Sequence, residues 1–306
     1  MTRMLVALFA SCVFISAAPG QPDGKKPVKA INLDKLNTDK DEDDPHLGSS
    51  GLTLYYSSNA NNKFDILVSQ RTNQNLPWPA GKLLGDYIRS EVDDRPGFVT
   101  AETRFPQYFY FATQKDKETK NFDIYVAVRQ DRTAVFTSPT PLNTISSAAD
   151  ELHPWLSANG KELYFSRKTK DGWRVMLATR KETTGAAGFG EPKTLDLPVD
   201  FHHATLTPDG RTMYLQGPLE KDRWGLFTST WTAKGWSKPE PLEALNSPEG
   251  KTGDRSPNLS RDGRLPANRA PPKYRAPDAA GCGVLRLLAQ RGSGGSSQQE
   301  IGRAHV

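Results

Sequence analysis

Between residues 42 and 263 the chain alternates short apolar or aromatic runs with polar turn clusters, and no stretch carries a helical period. Glu162 to Arg167 is rich in aromatics, and Trp173 to Arg180 places apolar residues at 173, 175 and 177, the period of two that a strand with one buried face requires. Asn159-Gly160, Asp209-Gly210 and Asp262-Gly263 stand between such runs. These are tight-turn dipeptides, since a two-residue hairpin needs positive φ where Gly and Asn pay little.

The pattern repeats. One copy runs Glu151-Leu152-His153-Pro154-Trp155-Leu156-Ser157, then Lys161-Glu162-Leu163-Tyr164-Phe165-Ser166, then Trp173-Arg174-Val175-Met176-Leu177-Ala178, then Phe189-Gly190-Glu191-Pro192. A proline slot near the start of each copy falls at 45, 96, 154, 204 and 257, where Ala204 replaces proline, and the slots are 51, 58, 50 and 53 residues apart. Tyr55-Tyr56, Tyr110-Phe111 and Tyr214 recur after the turn, Phe64, Phe122, Trp173 and Trp224 open a third segment, and Trp78, Phe136, Phe189 and Trp236 precede a late proline. Four short strands per unit, repeated at that period, predict an all-β propeller of four-stranded blades. The predicted blades are about 42–92, 93–150, 151–200 and 201–253, with a partial fifth over 254–264.

The phrase Pro-x-Leu-Ser-x-Asn-Gly-Lys-x-Leu-Tyr-Phe-Ser, as at 154–166, followed by Asp123-Ile124-Tyr125-Val126-Ala127-like strands, resembles the WD-like propeller repeats of the TolB type found in exported bacterial proteins. The resemblance covers residues 42 to 263. It implies a periplasmic or secreted propeller of the kind that serves as a scaffold, as a gating domain of peptidases or, less often, as a lyase or glycosidase. Fold alone does not choose among these.

The ends differ from the middle. Residues 1–18 place Arg3 before an apolar run from Met4 to Ile15 and then Ser16-Ala17-Ala18, the layout of a secretory signal peptide too short to serve as a transmembrane anchor. Residues 19–41, rich in Lys, Asp, Pro and Gly, read as a flexible, solvated lead-in. After Asp262-Gly263-Arg264 the repeat is lost, and Glu300 to Val306 can be written GAG ATC GGA AGA GCA CAC GTC, a sequencing-adapter read. Residues 265–306 are therefore read as a frameshift followed by adapter read-through, with a natural disordered basic tail as the alternative. On that reading the propeller is open and incomplete.

The tail also changes the charge. Of 40 basic and 35 acidic residues, 34 and 33 lie outside it, and the even balance excludes a nucleic-acid partner, which wants Lys and Arg gathered on one face. The two cysteines are Cys12 and Cys282, so the repeat region is thiol-free and rests on its core. A monomer is expected.

No nucleophile elbow, phosphate loop, HExxH or paired CxxC occurs. Histidines instead gather at blade starts: His46, His153, His202 and His203, beside a repeated acid at Glu42, Asp93, Glu151 and Asp254. The first strand of a blade lies innermost, so His46, His153 and His203 are the candidate ligands of a divalent metal at the channel mouth. His202 and Trp155 join them as candidate ligand-binding residues. The bland reading of the acids is structural, as groups that pin one blade to the next. The run Asp39, Asp41, Glu42, Asp43 and Asp44 lacks the spacing of a calcium loop and reads as a solvated linker. Trp155 and Trp231 are the aromatics that do not recur in register. The expected function is an exported binding or scaffold propeller that recognises a protein or envelope glycan without catalysis and without a cofactor; the alternative is a metal-dependent polysaccharide lyase or hydrolase working at the channel mouth.

Overall fold

The computed structural model describes residues 30–259 apart from 86, 115–119, 184, 221–222, 244 and 247–252, and of 30–32, 268–269 and 286–288 only the backbone. The proposed signal peptide lies outside the described residues. After a short β1 (Ala30–Asn32), four blades follow in order. The first holds β2 (Glu42–Leu47), β3 (Thr53–Ser58), β4 (Asp65–Gln70) and β5 (Lys82–Leu83); the second β6 (Asp94–Val99), β7 (Gln107–Thr113), β8 (Asp123–Arg129) and β9 (Thr140–Pro141). The third holds β10 (Glu151–Leu156), β11 (Glu162–Thr169), β12 (Gly172–Thr179) and β13 (Lys193–Thr194). The fourth holds β14 (His202–Leu206), β15 (Thr212–Pro218) and β16 (Trp224–Thr232), with both β17 (Gly235–Trp236) and β18 (Glu240–Pro241) on β16. All pairs are antiparallel, and β18 matches the outer strand of the other blades in register: Phe227 faces Pro241 as Tyr125 faces Pro141. No described residue is helical. The structure is an all-β propeller.

The cores lie between blades. Phe109 and Phe111 of β7 pack with Tyr55 and Ile66 of the first blade, while Tyr110 of the same strand packs with Leu163, Phe165 and Met176 of the third. Both faces of a blade are thus buried, which is why the alternation of the second and third segments is weak. The third interface joins Tyr164 and Val175 to Leu215 and Phe227. Leu33 and Leu36 pack on Leu54, Tyr56 and Trp78. Leu33 and Leu36, which the sequence places in a solvated lead-in, therefore cover the apolar outer face of β3 and β4, while Asp34, Lys35 and Thr38 to Lys40 between and after them are exposed.

A fifth place on the axis is filled by β19 (Asp254–Arg255), which lies against β16; β20 (Asn268–Arg269) pairs β19, and β21 (Arg286–Leu288) pairs β1. Ser256 N–H donates to Gln216 Oε1 of the fourth blade at 3.1 Å, and Asn258 Oδ1 accepts the Leu47 N–H of the first at 3.1 Å. At the axis, the gap between first and fourth blades is spanned.

The register of the second blade differs from the one read along the sequence. Each inner strand carries a bulge, after its second residue in β2, β6 and β10 and after its first in β14, and pairing aligns Phe98 with His46, Trp155 and Thr205. Gly97, not Pro96, therefore shares the slot of Pro45, Pro154 and Ala204. A Cβ on Gly97 would sit 2.4 Å from Pro154 Cγ and 2.7 Å from the Tyr110 carbonyl oxygen, so two prolines cannot stand there side by side. We predict that Gly97→Ala destabilises the protein by about 1–3 kcal/mol, the range for overpacking a closed site, measured by urea unfolding; an unchanged midpoint would contradict this placement.

Candidate functional site

The blade starts converge because of that bulge. The residue before the slot has left-handed φ in three blades and at the fifth place: Asp44 at 48°, His153 at 54°, His203 at 50° and Ser256 at 53°. L-residues adopt such φ rarely. Pro96, which has the equivalent place in the second blade, cannot. Together these turns aim four polar side chains at the axis.

Asp44 is their hub. Its carboxylate lies 3.5 Å from His153 Nε2, 3.7 Å from His203 Nδ1 and 3.8 Å from Arg95 Nη1, and it accepts the Ser256 hydroxyl at 3.2 Å. Burial pushes the Asp44 carboxyl up, but His153, His203 and Arg95 outweigh it and hold the group below the usual carboxylate range. The His153 and His203 rings stack at 4.0 Å and 18°. Ser166 stands behind both, 3.1 Å from His153 Nδ1 and accepting the His203 N–H at 2.9 Å. Asp43 meets Arg95 at 3.4 Å, and burial followed by the charge of Asp44 pushes its carboxyl up to about 6. The cavity among these groups, lined by Asp44, Gly97, His153, His203 and Asn258 among others, has a volume of ≈ 20 Å³.

The structure brings only part of the expected set together. His153 and His203 meet; His46 does not join them, since it aligns with Trp155, one place past the slot. Its Nε2 lies 3.2 Å from the Val99 N–H and its Nδ1 3.0 Å from the Asn258 side-chain amide, so the ring sits between these two groups, and as a neutral imidazole it accepts from one of them. Burial holds His46 down to about 4. His202 points outward, stacked on Trp173 at 5.2 Å with Nδ1 3.0 Å from the Asp200 carbonyl, and burial, then His153, brings it down to about 3. Burial and then His153 also hold His203 well below the usual range. Trp155 lines the cavity wall and packs edge-on against Phe98 and Tyr164, each at 5.8 Å.

The repeated acid is an anchor of the blade start. Thr38 Oγ1 donates to Glu42 at 2.7 Å, Ser90 Oγ to Asp94 at 2.9 Å and Ser147 Oγ to Glu151 at 2.5 Å, always four residues earlier. In the second blade that acid is Asp94, not Asp93. Asp93 has a different task, accepting the Phe64 N–H of the preceding blade at 2.9 Å, as Asp150 does for Phe122 at 3.0 Å and Asp200 for Trp173 at 2.9 Å. In the fourth blade Phe201 takes the acid's place, and at the fifth Asp254 is buried.

Asp44, the group that the others surround, was hidden in a run of acids that reads as a solvated linker. Its position one before the slot, matching His153 and His203, was the available signal. The fold and site thus define a β-propeller with a small pocket at its axis into which Asp44, His153 and His203 face. No protein-family model matches the chain, and no curated protein is similar to it in sequence. Solved structures share the fold. The catalytic domain of the GH62 α-L-arabinofuranosidase of Coprinopsis cinerea is 10% identical over 86% of this chain and 95% of its own, with a TM-score of 0.57. The endo-arabinase of Bacteroides thetaiotaomicron VPI-5482 is 14% identical over 86% and 98%, at 0.52. TolB of Acinetobacter baumannii is 14% identical over 75% of this chain, at 0.44, and the chain spans 54% of its length. At such identities the likeness shows a fold. No helix among the described residues is long and apolar enough to cross a membrane.

The buried imidazoles set the acid limit of the fold. His46, His202 and His203 are neutral when folded and charge when unfolded, so below about pH 6.5 unfolding takes up protons at all three and stability falls with pH. Asp43, raised to about 6, acts in the opposite sense, as do Glu42, Asp94 and Glu151, which burial also raises but which titrate nearer the acid end of the range. We predict that the urea midpoint drops between about pH 7.5 and about pH 5; a flat or rising midpoint would contradict it.

Proposed function

We propose that the chain is an exported β-propeller binding or scaffold protein that recognises a protein or envelope glycan and performs no catalysis. The resemblance of its repeats to the TolB type and the signal-peptide layout of residues 1–18 support export. The observation that carries the reading is how little room the pocket at the axis leaves. A cavity of ≈ 20 Å³ holds one water or small ion, whereas ligand pockets run to about 300–1,000 Å³. No sugar ring enters between Asp44, His153 and His203 without parting the blades. Recognition then falls to the outer loops and exposed edges.

One observation favours the alternative, a polysaccharide hydrolase or lyase. Neighbouring Asp43 and Asp44 are driven apart, one up to about 6 and the other down. Paired carboxylates divide acid and base roles in this way. The two readings part in one experiment: purified chain is incubated with insoluble envelope material and, separately, with arabinan. We expect retention on the envelope material and no new reducing or unsaturated ends. Release of such ends, abolished by Asp43→Asn, would replace the binding reading with the enzymatic one.

A further inference from the structure

Three donor atoms from three blades face one point on the axis. Asp44 Oδ1, His153 Nε2 and His203 Nδ1 all lie within 4.8 Å of one another. The carboxylate lies 3.7 Å from the His203 imidazole, too long for a hydrogen bond, and 3.5 Å from that of His153, a stretched one. The first falls just beyond and the second within the roughly 3.3–3.6 Å that separates donors around a tetrahedral ion bound at about 2.0–2.2 Å. His203 Nδ1 is buried without a hydrogen-bond partner, a state that polar atoms avoid unless something fills the place. The small axial cavity is lined by these same residues.

The geometry points to a site for one zinc-class divalent ion, bound by Asp44, His153 and His203 with water as fourth ligand. Two imidazoles with one carboxylate suit zinc, whereas calcium and magnesium want oxygen donors throughout. Arg95 does not close the site, because Asp43 is its nearer partner at 3.4 Å against 3.8 Å for Asp44. The two imidazoles are nearly parallel, so an ion in the plane of His153 requires the His203 ring to turn. Its Nδ1 makes no hydrogen bond, and the turn breaks none there.

Ser166 is the positioning residue. It fixes the His153 ring through Nδ1 and holds His203 by the backbone, leaving that imidazole to swing. An outer hydroxyl behind a metal-bound imidazole sets its tautomer and aim. An ion here would join the first, third and fourth blades at one point. The site concerns the axis and stands apart from what the outer surface recognises.

The test uses the untagged full chain, stripped with chelator and titrated with Co²⁺ and then Zn²⁺. We expect the visible absorption of tetrahedral cobalt, its displacement by zinc, and one zinc per chain by mass spectrometry after dialysis. Ser166→Ala should weaken zinc binding about 10–100-fold with an unchanged far-UV circular dichroism spectrum, His203→Ala should abolish it, and His46→Ala should retain it. A chain that takes up neither metal overturns the inference whether or not the variants fold. So does zinc bound equally by the unmodified chain and His203→Ala.

Discussion

A buried carboxylate survives only where polar or charged groups surround it, and Asp44 is met from every other place around the axis. Arg95 reaches it from the second blade, His153 from the third, His203 from the fourth and Ser256 from the fifth. Removing any one partner leaves the charge less compensated in a dry interior. The contacts are possible only because the chain bulges and turns left-handed one residue before the slot, so strain in φ is exchanged for convergence. The small or rigid residues of the slot, Pro45, Gly97, Pro154 and Ala204, let those turns pack face to face.

Away from the axis the blades are joined by devices that repeat. An aspartate receives the backbone N–H of the preceding blade's third strand at Phe64, Phe122 and Trp173. Gly253, at the fifth such place, instead bridges Trp224, whose carbonyl oxygen would lie 1.8 Å from any added Cβ. At the rim, Arg71, Arg129 and Arg180 lie over Trp78, Phe136 and Phe189 at 4.1, 4.9 and 4.6 Å. In the fourth blade Trp231 holds the arginine's position and meets Trp236 edge-on at 5.3 Å, which accounts for an aromatic that does not recur. Periodic devices need only periodic residues.

That difference decides what could be read from sequence. The blades, their turn dipeptides and the in-register aromatics are local and repeated, so spacing alone placed them. The second blade slipped by one because Pro96 looks like the slot proline, and only the partnering of Phe98 with Tyr110 shows that Gly97 occupies it. The same slip exchanged Asp93 for Asp94. Proximity of the histidines to the slot was legible, but not which side of it faces the axis: His153 and His203 precede it and turn inward, whereas His46 follows it and is consumed by Val99 and Asn258. Asp44 was masked by neighbouring acids, since net charge in a run says nothing of the one residue whose φ carries it indoors.

An axis organised around one carboxylate makes the blade starts a single cooperative unit rather than a set of separate loops. It also accounts for the small room left at the centre, where these groups meet. The direct measurement is a double-mutant cycle between Asp44→Asn and His153→Gln, read by urea unfolding at neutral pH. If the carboxylate ties the blades together, the two changes couple by at least about 1 kcal/mol, well beyond the 0.3–0.5 kcal/mol scatter of independent sites. Additive effects would show that the two groups merely lie close, and the account of the axis would fail.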